Sequence, residues 1–179
     1  MEQIILACDD DGKFIEYIPK IVGHTGEGKR HLAITVLIYN SKGEVLIQRR
    51  KHKVFDNIWD FTASTHPLHR KDGSDETLEE ATRRALKEEW EISPTSPWLR
   101  RVKEVGVFNY FKKIGDLCEN EHDALLIGEY NGKIKLNPKV GYEYKWVNKG
   151  EMVKDMEENP DKYTAWANEG LKVLKKVGF

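Results

Sequence analysis

Cysteine is scarce: Cys8 and Cys118 are the only two in 179 residues. Two thiols cannot staple a small secreted scaffold, and no C-x-x-C pair is present to hold structural zinc. Long apolar runs are also missing. None approaches the ~20 residues that a membrane helix needs. The opening Met1-Glu2-Gln3 puts no basic segment ahead of the short run Ile4 to Cys8, so it does not read as a secretion signal. Neither charge is in excess. The 29 Lys and Arg stand against 30 Asp and Glu, a formal net charge of -1, which gives no global pull toward nucleic acid or an anionic membrane. Any positive site must therefore be local. The expectation is a soluble cytoplasmic protein with neither nucleic acid nor membrane as partner.

What is present suits one domain with a proper core. Hydrophobic residues make up 39% and charged residues 33%, an ordinary globular balance, and no linker or repeat divides residues 1–179. Ile4 to Cys8, Phe14 to Ile18, His31 to Tyr39, Glu44 to Arg49, Trp59 to Ser64, Val102 to Phe111, Ala124 to Tyr130 and Tyr142 to Val147 read as strands. Asp75 to Glu91 has the strongest helical pattern, with Leu78, Ala81, Ala85 and Leu86 on one stripe and Pro94 and Pro97 beyond its end. A second helix is expected over about 162–177, carrying Trp166, Leu171 and Leu174. Strands on both sides of a central helix, closed by a terminal one, predict an α/β/α sandwich around a mixed sheet.

Several polar groups could carry chemistry. His24 and His31 flank a Gly-rich loop, His66 ends a strand, and Glu119 and Glu121 are one residue apart. In a strand that spacing turns both carboxylates to one side. Imidazoles and carboxylates suit a first-row divalent metal, although scattered histidines and Glu-x-Glu pairs are also common on surfaces. Arg84 and Glu88 share a helical face with Glu89 beside them, as a solvated ion-paired face would also have it. Arg49, Arg50, Lys51 and Lys53 form a basic cluster that fits phosphate or a solubilised sheet edge.

Taken together these residues resemble a known family. Arg84-Ala85-Leu86-Lys87-Glu88-Glu89, with Glu76 upstream, is similar to the Nudix box, which runs Gly, five residues, Glu, seven residues, Arg-Glu-apolar-x-Glu-Glu-x-Gly-apolar. Arg70 stands at its first glycine, Ala85 at its second glutamate and Glu91 at its last glycine. That altered box resembles the one in type I isopentenyl-diphosphate isomerases, and the likeness runs from about Gln3 to about Leu174. It implies a Nudix fold and a zinc or manganese site made of His24, His31, His66, Glu119 and Glu121. It implies Mg²⁺ bound with the diphosphate through Glu88, and Lys20, Arg50, Lys53 and Arg84 around that diphosphate. Tyr110 and Trp166 match the aromatic pair beside the reacting carbons, where Glu121 would move one proton.

The chain departs from that family at Ser64, which stands where the isomerases carry a catalytic cysteine, and at Val140-Gly141, which replaces a Glu-Val pair. A serine hydroxyl is a far weaker acid than a thiol and would need a partner base. The resemblance thus implies interconversion of isopentenyl and dimethylallyl diphosphate, with Ser64 as the second acid/base. A Nudix hydrolase of nucleoside or prenyl diphosphates is the alternative, with Ala85 counting against it, and a diphosphate-binding module without catalysis is a third. Cys118 is expected to face away from Glu119, and His52, His69 and His122 are expected to be surface or loop residues.

Overall fold

The computed structural model describes residues 2–97 and 99–179. Nine strands form one mixed sheet: β1 (Ile4–Cys8), β2 (Phe14–Pro19), β3 (His31–Tyr39), β4 (Glu44–Arg50), β5 (Trp59–Asp60), β6 (Ala63–Thr65), β7 (Leu99–Ile114), β8 (Leu117–Tyr130) and β9 (Gly141–Asn148). β3 is its axis. It runs parallel to β8 from His31 opposite Glu121 to Tyr39 opposite Glu129, and antiparallel to β1, β4 and β6. β7 and β8 form a long hairpin that turns between Ile114 and Leu117, with Gly115 supplying a φ of 59°.

Alternation along β3 and β8 separates the two helical layers. Ile34, Val36 and Ile38, with Ala124 and Leu126, pack against Ala81, Ala85, Leu86 and Trp90 of α2 (Leu78–Trp90). Leu37, Leu125 and Ile127 face the other way. They meet Met152 and Met156 of α3 (Lys149–Glu158) and Ala167, Leu171 and Leu174 of α4 (Ala165–Lys176). This is the expected sandwich, and strands covered on both faces explain why β3 reads as an unbroken apolar run. The short helix α1 (Lys20–Gly23) links β2 to the Gly-rich loop. Among the described residues no helix is long and apolar enough to cross a membrane.

The central helix starts later than expected. Thr77 caps it, and Thr77 and Glu80 exchange side-chain-to-backbone bonds that fix its first turn. It also ends before the prolines, because Glu91 turns into the left-handed region at φ 53°. That is the backbone conformation for which glycine is the usual helix terminator. The terminal helix begins at Ala165 behind Thr164, with a short 3-10 turn over Pro160–Lys162. Helices α1 and α3 were not expected, and β8 begins at Leu117 rather than at Ala124.

Candidate metal and diphosphate site

Three histidines, two flanking one loop and the third at the end of β6, meet at one carboxylate. His31 opens β3 directly beside Glu121 of β8, and Tyr110 of β7 lies opposite Glu121 on its other side. His66 follows β6, which β3 also holds in register. His24 ends α1, and its carbonyl accepts from the Cys118 backbone at 3.0 Å, which ties that loop to β8. From Glu121 Oε1 the Nε2 atoms of His66, His31 and His24 are 2.8, 3.6 and 4.0 Å away. The ligand atoms of these four residues all lie within 4.8 Å of one another. Glu119 stands one step outside this group, with Oε2 3.1 Å from His24 Nε2.

The surroundings prepare these nitrogens for a metal. His24 Nδ1 donates to the Lys20 carbonyl and His31 Nδ1 to the Lys29 carbonyl, each at 2.8 Å. Those bonds turn each Nε2 toward the carboxylates and fix the ring orientation, as outer partners do at metal sites. His31 Nε2 is buried without a hydrogen-bond partner. Gly23 permits the approach, since a Cβ there would stand 2.7 Å from His31 Nδ1. Burial holds the His66 ring well below its ordinary pKa, so it stays a neutral donor. Burial opposes ionisation of Glu121, but the His66 bond at 2.8 Å and the nearby His31 ring outweigh it and hold the carboxyl well below the usual range. Three imidazoles gathered around one carboxylate fit a divalent cation.

Above this cluster opens a cavity of about 650 Å³. Tyr110 and Trp166 line it, and so do Ser64, Lys20, Arg50, Lys53, Arg84 and Glu88. Tyr110 donates its hydroxyl to Glu121 Oε2, and burial keeps that phenol protonated. Burial lowers the Lys20 pKa, while Glu119 and Glu121 oppose the shift. Lys53 is exposed at the mouth. Arg84 is the most committed of the cations. It grips Glu76 through Nε and Nη2, each at 2.9 Å, and gives Nη2 to the His66 carbonyl at 2.8 Å. Its Nη1 lies 3.5 Å from Glu88.

Three features escaped the sequence reading. Asp60 is fully buried and accepts from Arg50, Thr164, Trp166 and the Phe61 backbone. Glu89 lines the cavity wall, where burial pushes its carboxyl up to about 8 against a 2.7 Å bond from Gln48. His52 is a surface loop residue as expected, but it also lines the cavity mouth, where its partly shielded ring and the charges of Arg50 and Lys20 lower its pKa. The other two spare histidines do lie elsewhere. His69 pairs with Asp75 at 2.6 Å, and His122 bonds Asn109 at 2.7 Å. Cys118 turns its thiol to the Gly23 carbonyl, 3.8 Å away, and is not part of the cavity wall.

The chain is similar to several known proteins. The isopentenyl-diphosphate Delta-isomerase 2 of Aromatoleum aromaticum is 29% identical over 168 residues, covering 92% of this chain and 82% of that protein. The isopentenyl-diphosphate Delta-isomerase of Serratia proteamaculans is 27% identical over 181 residues, 99% of this chain and 93% of its own. Among solved structures, DR0079 from Deinococcus radiodurans superposes with a TM-score of 0.70 at 17% identity, covering 96% of this chain and 98% of the other. The MutT protein from Methanosarcina mazei Go1 gives 0.59 at 21% identity, over 82% and 94%. At those identities the structural likeness speaks for the fold. The NUDIX domain pattern matches residues 29–167, from the loop before β3 into α4. The chain belongs to the Nudix domain family.

Proposed function

We propose that residues 1–179 act as one cytoplasmic Nudix domain that interconverts isopentenyl and dimethylallyl diphosphate. The observation that carries this reading is the convergence of His24, His31, His66 and Glu121 under a cavity walled by Tyr110 and Trp166. Distant relatives named isopentenyl-diphosphate Delta-isomerase support it. Zinc or manganese at the histidines, helped by Glu119, would supply positive charge that keeps Glu121 ionised, and Mg²⁺ beside Glu88 would neutralise diphosphate oxygens.

The chain's own residues do the rest. Lys20, Arg50, Lys53 and Arg84 bind the diphosphate at the cavity mouth, leaving the hydrocarbon to enter between Tyr110 and Trp166. Their walls exclude water, which would trap a tertiary carbocation. Glu121, oriented by the Tyr110 hydroxyl, exchanges one proton with the hydrocarbon. Ser64 Oγ serves the other carbon, 3.1 Å from Arg50 Nη1 and 3.4 Å from Asp60 Oδ2. Without a thiol, turnover is slow. Incubation with isopentenyl diphosphate, and separately with a panel of nucleoside diphosphates, is the test. The dimethylallyl product should form, and Ser64→Cys should raise kcat by about one or two orders of magnitude with KM little changed. Release of phosphate or pyrophosphate instead would sink the reading.

A second reading, hydrolysis of a diphosphate ester, is favoured by one observation. The Arg50 guanidinium carbon lies 4.8 Å from the Trp166 ring centroid. A ring face already serving one cation is less available to a carbocation, whereas Arg50 there suits charge building on phosphate.

A further inference from the structure

Asp60 is the buried junction of the cavity floor. It has no exposure, and five donors surround it. Oδ2 accepts from Arg50 Nη1 at 2.9 Å and from Ser64 Oγ at 3.4 Å. Oδ1 accepts from Trp166 Nε1 at 2.8 Å, from Thr164 Oγ1 at 3.0 Å and from the Phe61 backbone N–H at 2.8 Å. Burial raises its carboxyl pKa against the pull of Arg50 and the hydrogen bonds, and all five neighbours donate to its oxygens. Its partners come from β4, β6 and the start of α4, elements far apart in sequence. The Thr164 backbone N–H also donates to the Trp59 carbonyl at 2.9 Å, which holds the head of α4 against β5. Arg50 is thereby fixed in a plane over the Trp166 ring, with one nitrogen committed to Asp60 and Ser64.

We propose that Asp60 is a positioning residue that locks Arg50, Ser64 and Trp166 into one unit and aims the far end of the Arg50 guanidinium at the substrate's diphosphate. This rests on the reading of the cavity mouth as a diphosphate site. Asp60 touches no substrate. It acts by fixing a long side chain that would otherwise sample many rotamers and by offsetting its charge within the floor.

The sign of its effect separates positioning from simple electrostatics. Removing a negative charge from beneath an anion site should tighten anion binding by Coulomb attraction alone. Asp60→Asn does more than that. With its oxygen kept toward Trp166 and Thr164, the new amide turns a donor toward the Arg50 donors and pushes the guanidinium out of place. Binding of inorganic pyrophosphate with Mg²⁺ to the purified full chain, measured by calorimetry, reads the outcome. Asp60→Asn should weaken it about tenfold, while the same change in an Arg50→Ala background should alter it less than about twofold, the non-additivity expected of coupled residues. Thr164→Val is the second variant, used where Asp60→Asn does not fold. Thr164 lies outside the cavity wall, yet losing its hydroxyl bond to Asp60 should weaken pyrophosphate by about threefold, and Thr164→Ser should restore it. Unchanged or tighter binding in Asp60→Asn, or equal losses with and without Arg50, would overturn the proposal while leaving the diphosphate site intact. Where Asp60→Asn does not fold, unchanged affinity in Thr164→Val overturns it. Failure of the parent to bind pyrophosphate would overturn both.

Discussion

Loading the histidine cluster with metal should change stability by an amount that the structure allows to be worked out. In the metal-free chain His31 Nε2 is buried without a partner, a state that costs about 1–3 kcal/mol. A divalent ion held by four residues removes that cost. At a free concentration about a thousand times its Kd it adds about 4 kcal/mol to folding stability. For a chain of 179 residues each kcal/mol moves Tm by about 2–4 °C, so the rise should be about 8–16 °C. Scanning calorimetry of chelator-stripped protein, with and without zinc or manganese, measures it. His31→Leu gives a paired signature. It removes the unsatisfied Nε2 but also the Nδ1 bond to the Lys29 carbonyl, so the stripped variant should melt within about 4 °C of the stripped parent, yet gain almost nothing from zinc. A parent that gains nothing from zinc, manganese or magnesium would refute the metal site. A His31→Leu variant with the full shift would refute the role of this ring.

Three further outcomes follow from individual residues. Glu91→Gly should raise stability by about 1 kcal/mol, seen as a Tm gain of about 2–4 °C, because glycine relieves a left-handed residue at φ 53° and the exposed Lys135 pair it gives up is weak; a lower Tm would contradict this. Burial pushes the Cys8 thiol up to about 11, so the native protein should resist thiol reagents at pH 8 and react only as pH approaches that value, when the thiolate forms; rapid labelling of Cys8 at pH 8, located by mass spectrometry, would count against it. Arg84→Ala should weaken diphosphate binding and also destabilise the fold by about 2 kcal/mol or more, since it strands the nearly buried Glu76 carboxylate, whereas Lys53→Ala at the exposed mouth should weaken binding with Tm unchanged. Equal effects of the two variants on Tm would remove the distinction.

How much of this was legible in the sequence depended on whether a feature repeats locally. β3 showed because nine residues carry one apolar pattern, and α2 because Leu78, Ala81, Ala85 and Leu86 keep helical spacing. α1 has four residues, too few for any period, and α3 offers only Met152, Val153 and Met156 between charges. The first half of β8 was hidden because its inward residues are Glu119, Glu121 and Asp123, acids that look like surface. The histidines were findable only as a set in family order. Asp60 was not, since nothing in Trp59-Asp60-Phe61 tells that donors from β4 and α4 will surround it.

That difficulty reflects how the site handles charge. The chain is close to neutral overall, yet around the cavity the signs are sorted by depth. Glu121 is buried on the inner face of β8, while burial and the Glu121 charge push the carboxyl of Asp123, which accepts from Thr35 of β3 at 2.7 Å, well above the usual range. Lys20, Arg50, Lys53 and Arg84 stand nearer the opening. On the proposed reading, Glu121 would draw a cation and the outer cations an anionic substrate, so each set would be unstable without its occupant or a neighbour of opposite sign. Strand alternation makes this sorting possible, because consecutive inward positions of β8 point into the same side of the sheet. The floor between the two layers is where carbon chemistry and phosphorus chemistry would diverge. It is set by Ser64 and by Arg50 over Trp166, two features that meet on one carboxylate of Asp60.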